Sequence, residues 1–245
     1  MTPESASRYA VYFAPATTSP WRTAGNVWLG RDSETGATVL QAKVEHIHAD
    51  RFSELTASAR RYGFHATMKA PFRLSGGCGE GDLLAQLAQF CENRAPIKIA
   101  KPQVRMLGDF LALQVDEKHT EIATLAQACV ACFEPMRAPM SAAELQRRRQ
   151  HNLSHRQEEL LRRWGYPYTE DAYRFHMTLT DSLAQVDADT LSRLSESAER
   201  HFDIAAPLEI DSLCIFKENA PGAVFKLLHR CLLRQVSNAA ATHIV

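Results

Sequence analysis

Two short motifs contain residue types suited to acid–base chemistry. Residues 64–67 and 175–178 each read Phe-His-x-Thr and are followed by an apolar residue. Their histidines, His65 and His176, lie 111 positions apart. Histidine titrates near neutral pH, so a pair can hold one neutral and one protonated imidazole together. Cleavage of a phosphodiester needs such a pair, one group to take a proton from the nucleophile and one to protonate the leaving oxygen.

A threonine follows each histidine two positions later. In a strand, residues i and i+2 point to the same face, so His65 projects with Thr67 and His176 with Thr178. Threonine hydroxyls can donate to the non-bridging phosphate oxygens, where charge builds in the transition state. A single motif is a weak signal, because a buried histidine satisfied by one hydrogen bond has the same sequence. Two matched copies favour a catalytic acid/base pair with two phosphate contacts, in which either histidine can be the base.

Three further residues are candidate substrate contacts. Lys69 continues the face of His65 and could neutralise a phosphate, with an exposed lysine at a strand end as an equal alternative. Arg174 shares the face of His176. Tyr12 lies on the first predicted strand, where it either lines the cleft or packs in the core.

The motifs belong to a longer internal repeat. Ala95-Pro96 and Ala206-Pro207 show the same offset of 111 residues. A helical stripe of apolar residues lies between motif and Ala-Pro in both copies, over 82–93 and 189–201. Strand, helix and strand thus occur twice, which predicts two lobes facing each other across a pseudo-twofold axis. The repeat units span residues 61–115 and 172–233.

An insertion of different character, residues 137–170, separates the copies. Ser141 with Glu144, and Ser154 with Gln157, fit the capping box and predict two short helices. From position 137 to 174 there are eight arginines against five acidic residues. Two interpretations are open, a solvated helical hairpin or a basic wall beside an anionic substrate.

Periodicity predicts the remaining elements. Period-two alternation and weaker variants of it predict strands at 8–14, 26–29, 37–40, 62–70, 97–106, 110–115, 173–180, 208–216 and 225–233. Helical spacing predicts a helix at 117–133 and a short helix or loop at 50–60. Asp82 is the expected N-cap of the helix at 82–93. The tail 236–245 is expected to be disordered.

Composition narrows the class of protein. Lys plus Arg and Asp plus Glu both number 28, so no net charge steers the chain to nucleic acid or to an anionic membrane. No apolar run approaches the roughly 20 residues that span a bilayer, and the N-terminus lacks the pattern of a signal peptide. We therefore expect a cytoplasmic protein without membrane contact, and a monomer by default.

Signals for a metal are weak. The six cysteines are scattered and favour reduced thiols over a disulfide framework. Cys129 and Cys132 have CxxC spacing inside a helical pattern, without a second pair. His46 and His48 have no carboxylate or thiol partner nearby in sequence, which favours a surface position. We therefore expect no metal and no cofactor.

The double motif resembles the 2H phosphoesterase superfamily, whose signature is two H-x-T-x motifs on a bilobal fold of antiparallel sheets. Longer strings resemble the DUF1045 group, which is associated with phosphonate metabolism. They are Arg-Tyr-Gly-Phe-His-Ala-Thr-Met-Lys-Ala-Pro-Phe (61–72), Arg-Trp-Gly-Tyr-Pro-Tyr (163–168), Trp-Leu-Gly-Arg-Asp (28–32) and Arg-Phe-His-Met-Thr-Leu-Thr (174–180). The resemblance implies hydrolysis of a phosphoester, and less firmly a ribosyl cyclic phosphate or phosphonate ester as substrate.

These observations predict an α+β fold of two pseudo-symmetric lobes, each an antiparallel sheet with outer helices, with a cleft between them. Residues 1–235 are expected to form one bilobal domain. The expected activity is that of a metal-independent phosphoric ester hydrolase acting on a small phosphorylated or phosphonylated metabolite. The alternatives are an RNA-end 2′,3′-cyclic phosphodiesterase or RNA-binding protein, and a phospholigand sensor without turnover.

Overall fold

The computed structural model describes residues 7–99, 101–116, 119–149 and 153–234, and the expected tail lies outside them. The strands within these ranges are β1 (Arg8–Phe13), β2 (Ala66–Phe72), β3 (Ile97–Ile99), β4 (Gln103–Leu107), β5 (Phe110–Gln114), β6 (His176–Thr178), β7 (Leu208–Ile210), β8 (Ser212–Glu218) and β9 (Lys226–Leu232). The helices are α1 (Pro20–Leu29), α2 (Ala49–Leu55), α3 (Ala57–Tyr62), α4 (Glu80–Cys91), α5 (Thr120–Phe133), α6 (Ala142–Arg149), α7 (His155–Trp164) and α8 (Ala188–His201).

Seven strands form one sheet in the order β4-β5-β6-β2-β1-β8-β9, and β3 pairs with β7 in a separate ladder. Every pair in both sheets is antiparallel. The expected α+β fold with antiparallel sheets and outer helices is therefore confirmed. The two halves join edge to edge, because β2 of the first half pairs with β6 of the second.

The register of two strand pairs reproduces the offset found in the sequence. Ala66 pairs with Met177, and Lys98 pairs with Glu209. In both pairs the residue numbers differ by 111, the offset of the repeat. Equivalent residues of the two repeat units therefore pair with each other in both ladders.

One face of the large sheet carries most of the core. Its side chains, including those of Ala66 and Met177, pack with apolar residues of α1, α4, α5 and α8. Burial of this apolar surface is the main favourable term in folding. Trp28 of α1 also donates its indole N–H to the Leu179 carbonyl at 2.9 Å, which satisfies a buried donor. The opposite face carries a smaller cluster around Tyr12 and leaves the rest of its surface for the site.

Two of the expected strands are wrong. Residues 26–29 form the last turn of α1, which has Pro20 in its first turn and ends at Gly30 with φ 72°. Proline tolerates the first helical turn and glycine adopts the left-handed C-cap, so these residues define a helix whose buried stripe runs through Trp21, Gly25 and Trp28. Residues 37–40 contribute a single bridge, Arg31 to Thr38.

Several other expected strands are shorter or divided, and of the segment 173–180 only His176–Thr178 forms a strand. The segment 97–106 splits into β3 and β4 around Pro102, which has no N–H to give to a ladder. The segment 208–216 splits into β7 and β8 at Asp211. The segment 62–70 begins as strand only at Ala66, because α3 runs to Tyr62 and Gly63 follows with φ 84°.

Both predicted capping boxes of the insertion are present. Ser141 and Glu144 each receive the other residue's backbone N–H, at 2.9 and 3.2 Å, and Ser154 and Gln157 do the same at 2.9 and 3.2 Å. Asp82 was expected at the N-cap of α4, but the helix begins at Glu80, and Asp82 accepts the Gly79 N–H from inside the first turn.

All six cysteines are free thiols, as predicted, and three of them are buried. In the described part of the chain, no helix has both the length and the apolar character needed to cross a membrane.

The close packing of α1 against Phe64, the residue before His65, can be tested at Gly25. A Cβ at this position would lie 2.1 Å from the Phe64 ring. We expect Gly25→Ala to lower the free energy of unfolding by about 1–3 kcal/mol or more, because the core cannot take an added methyl there. The measurement is urea denaturation followed by circular dichroism.

Gly81 of α4 is the matched control, since a Cβ there meets nothing within 4 Å. Gly81→Ala should be neutral or stabilising by up to about 1 kcal/mol, through helix propensity alone. Equal effects of the two substitutions would contradict the packing.

Candidate active site

The four residues of the double motif meet where β2 pairs with β6. With Ala66 opposite Met177, the register sets His65 opposite Thr178 and Thr67 opposite His176. Opposed side chains share a face and have Cβ atoms about 5 Å apart, with diagonal neighbours at about 7–8 Å. Two imidazoles on one diagonal and two hydroxyls on the other therefore occupy the open face of the sheet.

The two histidines are held in the same way. Nδ1 of His65 lies 2.8 Å from the Gly63 carbonyl oxygen, and Nδ1 of His176 lies 2.8 Å from the Arg174 carbonyl oxygen. A carbonyl can only accept a hydrogen bond, so Nδ1 carries the proton in both rings. In the neutral imidazole Nε2 is then the acceptor, and for His65 it lies 3.4 Å from the Thr67 hydroxyl.

Burial favours neutral imidazoles at this site. It lowers the pKa of His65 to about 4, and nearby His176 adds to this decrease while the bond to the Gly63 carbonyl opposes it. Burial also lowers the pKa of His176. In the unliganded protein at neutral pH both rings are therefore neutral, with Nε2 ready to accept a proton.

Aromatic rings distinguish the two histidines. The Tyr12 ring stacks on His65 with 3.8 Å between ring centroids, and Tyr62 lies 6.3 Å from the same imidazole. The ring near His176 is Phe110, at 5.8 Å. Tyr12 was a candidate contact from sequence, and the structure places it directly against one of the histidines.

Two cavities flank the motif residues. The first, of about 380 Å³, is lined by Thr67 and His176 together with aromatic side chains of the insertion, Trp164, Tyr166 and Tyr168. The second, of about 350 Å³, is lined by His65 and Thr178 with polar residues, namely Ser58, Thr180, Asp181 and Ser182. Each cavity is thus lined by one histidine and one threonine of the double motif.

Lys69 lines the first cavity, but its ammonium group is already engaged. Nζ donates to the Val130 carbonyl at 3.1 Å and to the Glu134 carboxylate at 2.9 Å. The Val130 carbonyl belongs to the last turn of α5, where a cation is favourable. Glu134 also accepts from Arg137 at 2.6 Å, so Lys69 ties β2 to the start of the insertion.

Arg174 lies at the rim of the same cavity. Its Nη1 donates to the carbonyl oxygens of Asp171 at 2.9 Å and Tyr173 at 2.8 Å. The side chain thus stabilises the turn that precedes β6. The backbone carbonyl of Arg174 in this turn accepts the hydrogen bond from Nδ1 of His176.

Residues of the insertion line the cavity beside His176. The periodicity of the sequence does not predict this position of the insertion. Arg73, at the end of β2, makes two hydrogen bonds of 2.5 Å to the Glu144 carboxylate of α6. This bidentate pair ties α6 to the end of β2. Tyr166 and Arg148 of the insertion were not singled out from sequence, where the motif-like string at 163–168 and the excess of arginine were their only signals.

The weak metal signals have structural explanations. Nδ1 of His48 accepts the Asp50 N–H at the start of α2, and Cys132 accepts from Gln86 at 2.9 Å. Among the described residues no group of three His, Cys, Asp or Glu side chains is placed to hold a metal ion.

A family model matches this chain from residue 67 to 226, described as protein of unknown function (DUF1045). The match covers more than half of the chain and includes Thr67, His176 and Thr178. The chain belongs to the DUF1045 family.

Two curated relatives carry the name ribose 1,5-bisphosphate phosphokinase PhnN. The protein of Janthinobacterium sp. (strain Marseille) is 50% identical over 225 residues, 91% of this chain and 50% of the relative. That of Laribacter hongkongensis (strain HLHK9) is 37% identical over 222 residues, 90% of this chain and 50% of the relative. The chain therefore spans about half the length of the curated relatives it matches.

Among solved structures, the chain is similar to Kluyveromyces marxianus Usb1. The sequences are 9% identical, the TM-score is 0.34, and the match covers 90% of this chain and 98% of that one. The same protein with uridine monophosphate matches with a TM-score of 0.33.

The low pKa of His65 predicts how stability depends on pH. Between pH 6.5 and about 4 the unfolded chain binds a proton on this histidine that the folded chain does not. The free energy of unfolding should therefore fall as the pH drops through this window, by on the order of 2 kcal/mol for this residue.

The measurement is urea denaturation of the wild type and of His65→Asn at pH 7.5, 5.5 and 4. The variant should lose less stability over this range, and imidazole NMR should place the titration of His65 well below 6.5. Parallel stability curves would contradict the buried neutral state.

Proposed function

We propose that this chain is a metal-independent phosphoesterase that hydrolyses a small cyclic phosphate, phosphodiester or phosphonate ester with His65 and His176 as acid and base. The observation that carries this proposal is the shared geometry of the two histidines. Each Nδ1 is bound to a carbonyl two residues earlier, and each ring has a threonine opposite on the neighbouring strand. A purely structural role would not require the same arrangement on both sides of the axis.

The proposed reaction uses one proton acceptor and one proton donor. Nε2 of one histidine takes a proton from water as the water oxygen attacks phosphorus. Nε2–H of the other gives a proton to the ester oxygen as its bond to phosphorus breaks. A cyclic phosphate or phosphodiester gives a phosphomonoester and a free hydroxyl, and a phosphonate ester gives a phosphonate and an alcohol. A second proton transfer through solvent restores the pair.

The negative charge of the substrate favours protonation of the histidine that acts as the acid. Both imidazoles are neutral in the free protein, so one of them must gain a proton for catalysis. The negative charge of a bound phosphate raises the pKa of a neighbouring imidazole, and the Nδ1–H bond to a carbonyl stabilises the imidazolium. Thr67 and Thr178 then donate to the non-bridging oxygens.

The relatives' name describes a kinase, whereas this site suits hydrolysis. The 245 residues contain no G-x-x-x-x-G-K-[ST] sequence, the phosphate-binding loop of many nucleotide-dependent kinases. The chain also matches only half of each relative. We propose that hydrolysis belongs to the matched half and phosphorylation to the remainder. A hydrolase that opens a ribosyl cyclic phosphate would produce a ribose phosphate, the class of compound named for the kinase.

One observation favours a second candidate function, the hydrolysis of a 2′,3′-cyclic phosphate on a nucleotide or at an RNA end. The cavity beside His176 is lined by Trp164, Tyr166 and Tyr168, and aromatic rings stack well on bases. Two buried oxygens in its lining, Thr169 Oγ1 and Gln127 Oε1, have no hydrogen-bond partner among the described residues and could meet the polar edge of a base.

The acid/base assignment is tested by turnover on a panel in the presence of EDTA. The panel contains ribose cyclic phosphates, phosphonate esters, 2′,3′-cyclic nucleotides and RNA ending in a cyclic phosphate. We expect one class to be hydrolysed, and His65→Ala and His176→Ala each to lower kcat by 10²-fold or more while leaving the thermal midpoint within a few degrees, since each variant loses a proton-transfer group.

The exposed His155 of α7 provides the matched control, and His155→Ala should keep wild-type turnover. Wild-type turnover in either site variant would refute the mechanism. Binding of a phosphorylated ligand without turnover anywhere on the panel would favour the sensor, and loss of activity in EDTA would refute metal independence.

The threonine hydroxyls are tested separately. Thr67→Ala and Thr178→Ala should each lower kcat/KM by about 10-fold to 10³-fold, because a donor to the transition state is lost. Thr67→Ser and Thr178→Ser keep the hydroxyl and should retain most of the activity. If alanine and serine variants behave alike, the methyl group and not the hydroxyl is the functional part.

A further inference from the structure

Tyr173, three residues before His176, makes a hydrogen bond between the two halves of the site. Its hydroxyl donates to the backbone carbonyl of Thr67 at 3.2 Å, a contact between residues 106 positions apart. Burial raises the pKa of the Tyr173 phenol, so the hydroxyl is a protonated donor at neutral pH. The bond links the segment that leads into β6 directly to β2.

This bond adds to a short contact between the strands. Strand β6 has three residues, and all three pair with β5 of the neighbouring hairpin. Between β2 and β6, in contrast, the described residues form one ladder pair, Ala66 with Met177. The distance between the two halves therefore depends on few backbone bonds, and a side-chain bond beside them has a correspondingly large share in setting it.

The Tyr173 bond reaches His176 through the turn before β6. Nη1 of Arg174 donates to the Tyr173 carbonyl oxygen at 2.8 Å, and the Arg174 carbonyl oxygen lies 2.8 Å from Nδ1 of His176. The carbonyl that fixes the proton on Nδ1 thus belongs to a turn held on β2 by the Tyr173 hydroxyl. Movement of this turn would shift that carbonyl away from the imidazole, and displacement of a reacting group by about 1 Å can cost on the order of 10²-fold in rate.

The other copy of the repeat has a tyrosine at the same place, with a different contact. Tyr62 lies 111 positions before Tyr173, the offset of the repeat. Its ring stacks on Phe225 at 5.0 Å between centroids, and its hydroxyl accepts from Arg61 at 3.4 Å. The hydroxyl bond to a strand of the opposite half is therefore made by the tyrosine that precedes His176. Loss of this bond should affect His176 and leave His65 unchanged.

We propose that Tyr173 is a positioning residue for the reaction, whose hydroxyl holds the turn before β6 so that His176 stays opposite Thr67 with its proton on Nδ1. This inference rests on the proposed function. Tyr173 acts through His176 and does not contact the reacting atoms in this assignment.

The test compares the wild type with Tyr173→Phe and with Tyr9→Phe as the matched control. Tyr9 of β1 donates its hydroxyl to Glu80 at 3.0 Å and lines neither cavity of the site. On the substrate class that the wild type hydrolyses, Tyr173→Phe should lower kcat by about 10-fold to 10²-fold with KM within about threefold, because the geometry of proton transfer is disturbed. Tyr9→Phe should keep kcat within about twofold, and the thermal midpoints of the two variants should be similar, since each loses one hydroxyl bond.

NMR of the imidazole nitrogens gives a readout that does not depend on turnover. The wild type should show the proton on Nδ1 of both histidines. In Tyr173→Phe, His176 should show a mixture of tautomers, and its pKa, which burial lowers in the wild type, should rise toward about 6.5. The signals of His65 should not change, and Tyr9→Phe should resemble the wild type at both histidines.

Four results would overturn the assignment. They are unchanged kcat in Tyr173→Phe, a fall in kcat with wild-type signals from His176, a rise in KM alone, which would make Tyr173 a substrate contact, and an equal fall in kcat in Tyr9→Phe. If the wild type hydrolyses no substrate class, the proposed function fails, and the spectra decide the positioning by themselves. A change confined to His176 then supports it, and unchanged spectra refute it.

Discussion

The pairing of β2 with β6 is the interaction on which the rest of the site depends. A register in which Ala66 faces Met177 places two histidines and two threonines on one face of the sheet. A slip of one residue in either strand would turn the histidine and threonine of that strand into the core, because the side-chain period of a strand is two. Ala66 and Met177 are both 0% exposed, so the hydrophobic core on the other face fixes this register.

Strand β2 also positions the insertion beside the site. Lys69 is bound to Glu134 just before the insertion, and Arg73 is bound to Glu144 on α6. Both pairs are largely buried, where removing one partner costs more than the pair contributes. Lys69, a candidate substrate contact from the sequence, is therefore engaged in holding the insertion in place.

The two halves of the site are related by symmetry but differ in their surroundings. Tyr12 covers His65, whereas the equivalent position beside β6 is Ala112, opposite Thr178. One imidazole is therefore covered on one face by an aromatic ring and borders the polar cavity, and the other borders the cavity under the insertion. Identical motifs in unlike environments can separate the roles of acid and base, since burial and neighbouring charges set the pKa of each imidazole.

The sequence by itself determined the motif residues, the repeat with its offset of 111, the α+β class and the caps of α6 and α7, because each depends on residues close in the chain or on a direct internal match. It misassigned residues 26–29, since four residues are too few to reveal the helical stripe that begins at Trp21. Only the tertiary structure decided that Lys69 is bound to Glu134 and that Tyr12 stacks on His65. Whether a cation meets a carboxylate or a ligand depends on contacts across many residues, and local periodicity carries no information about them.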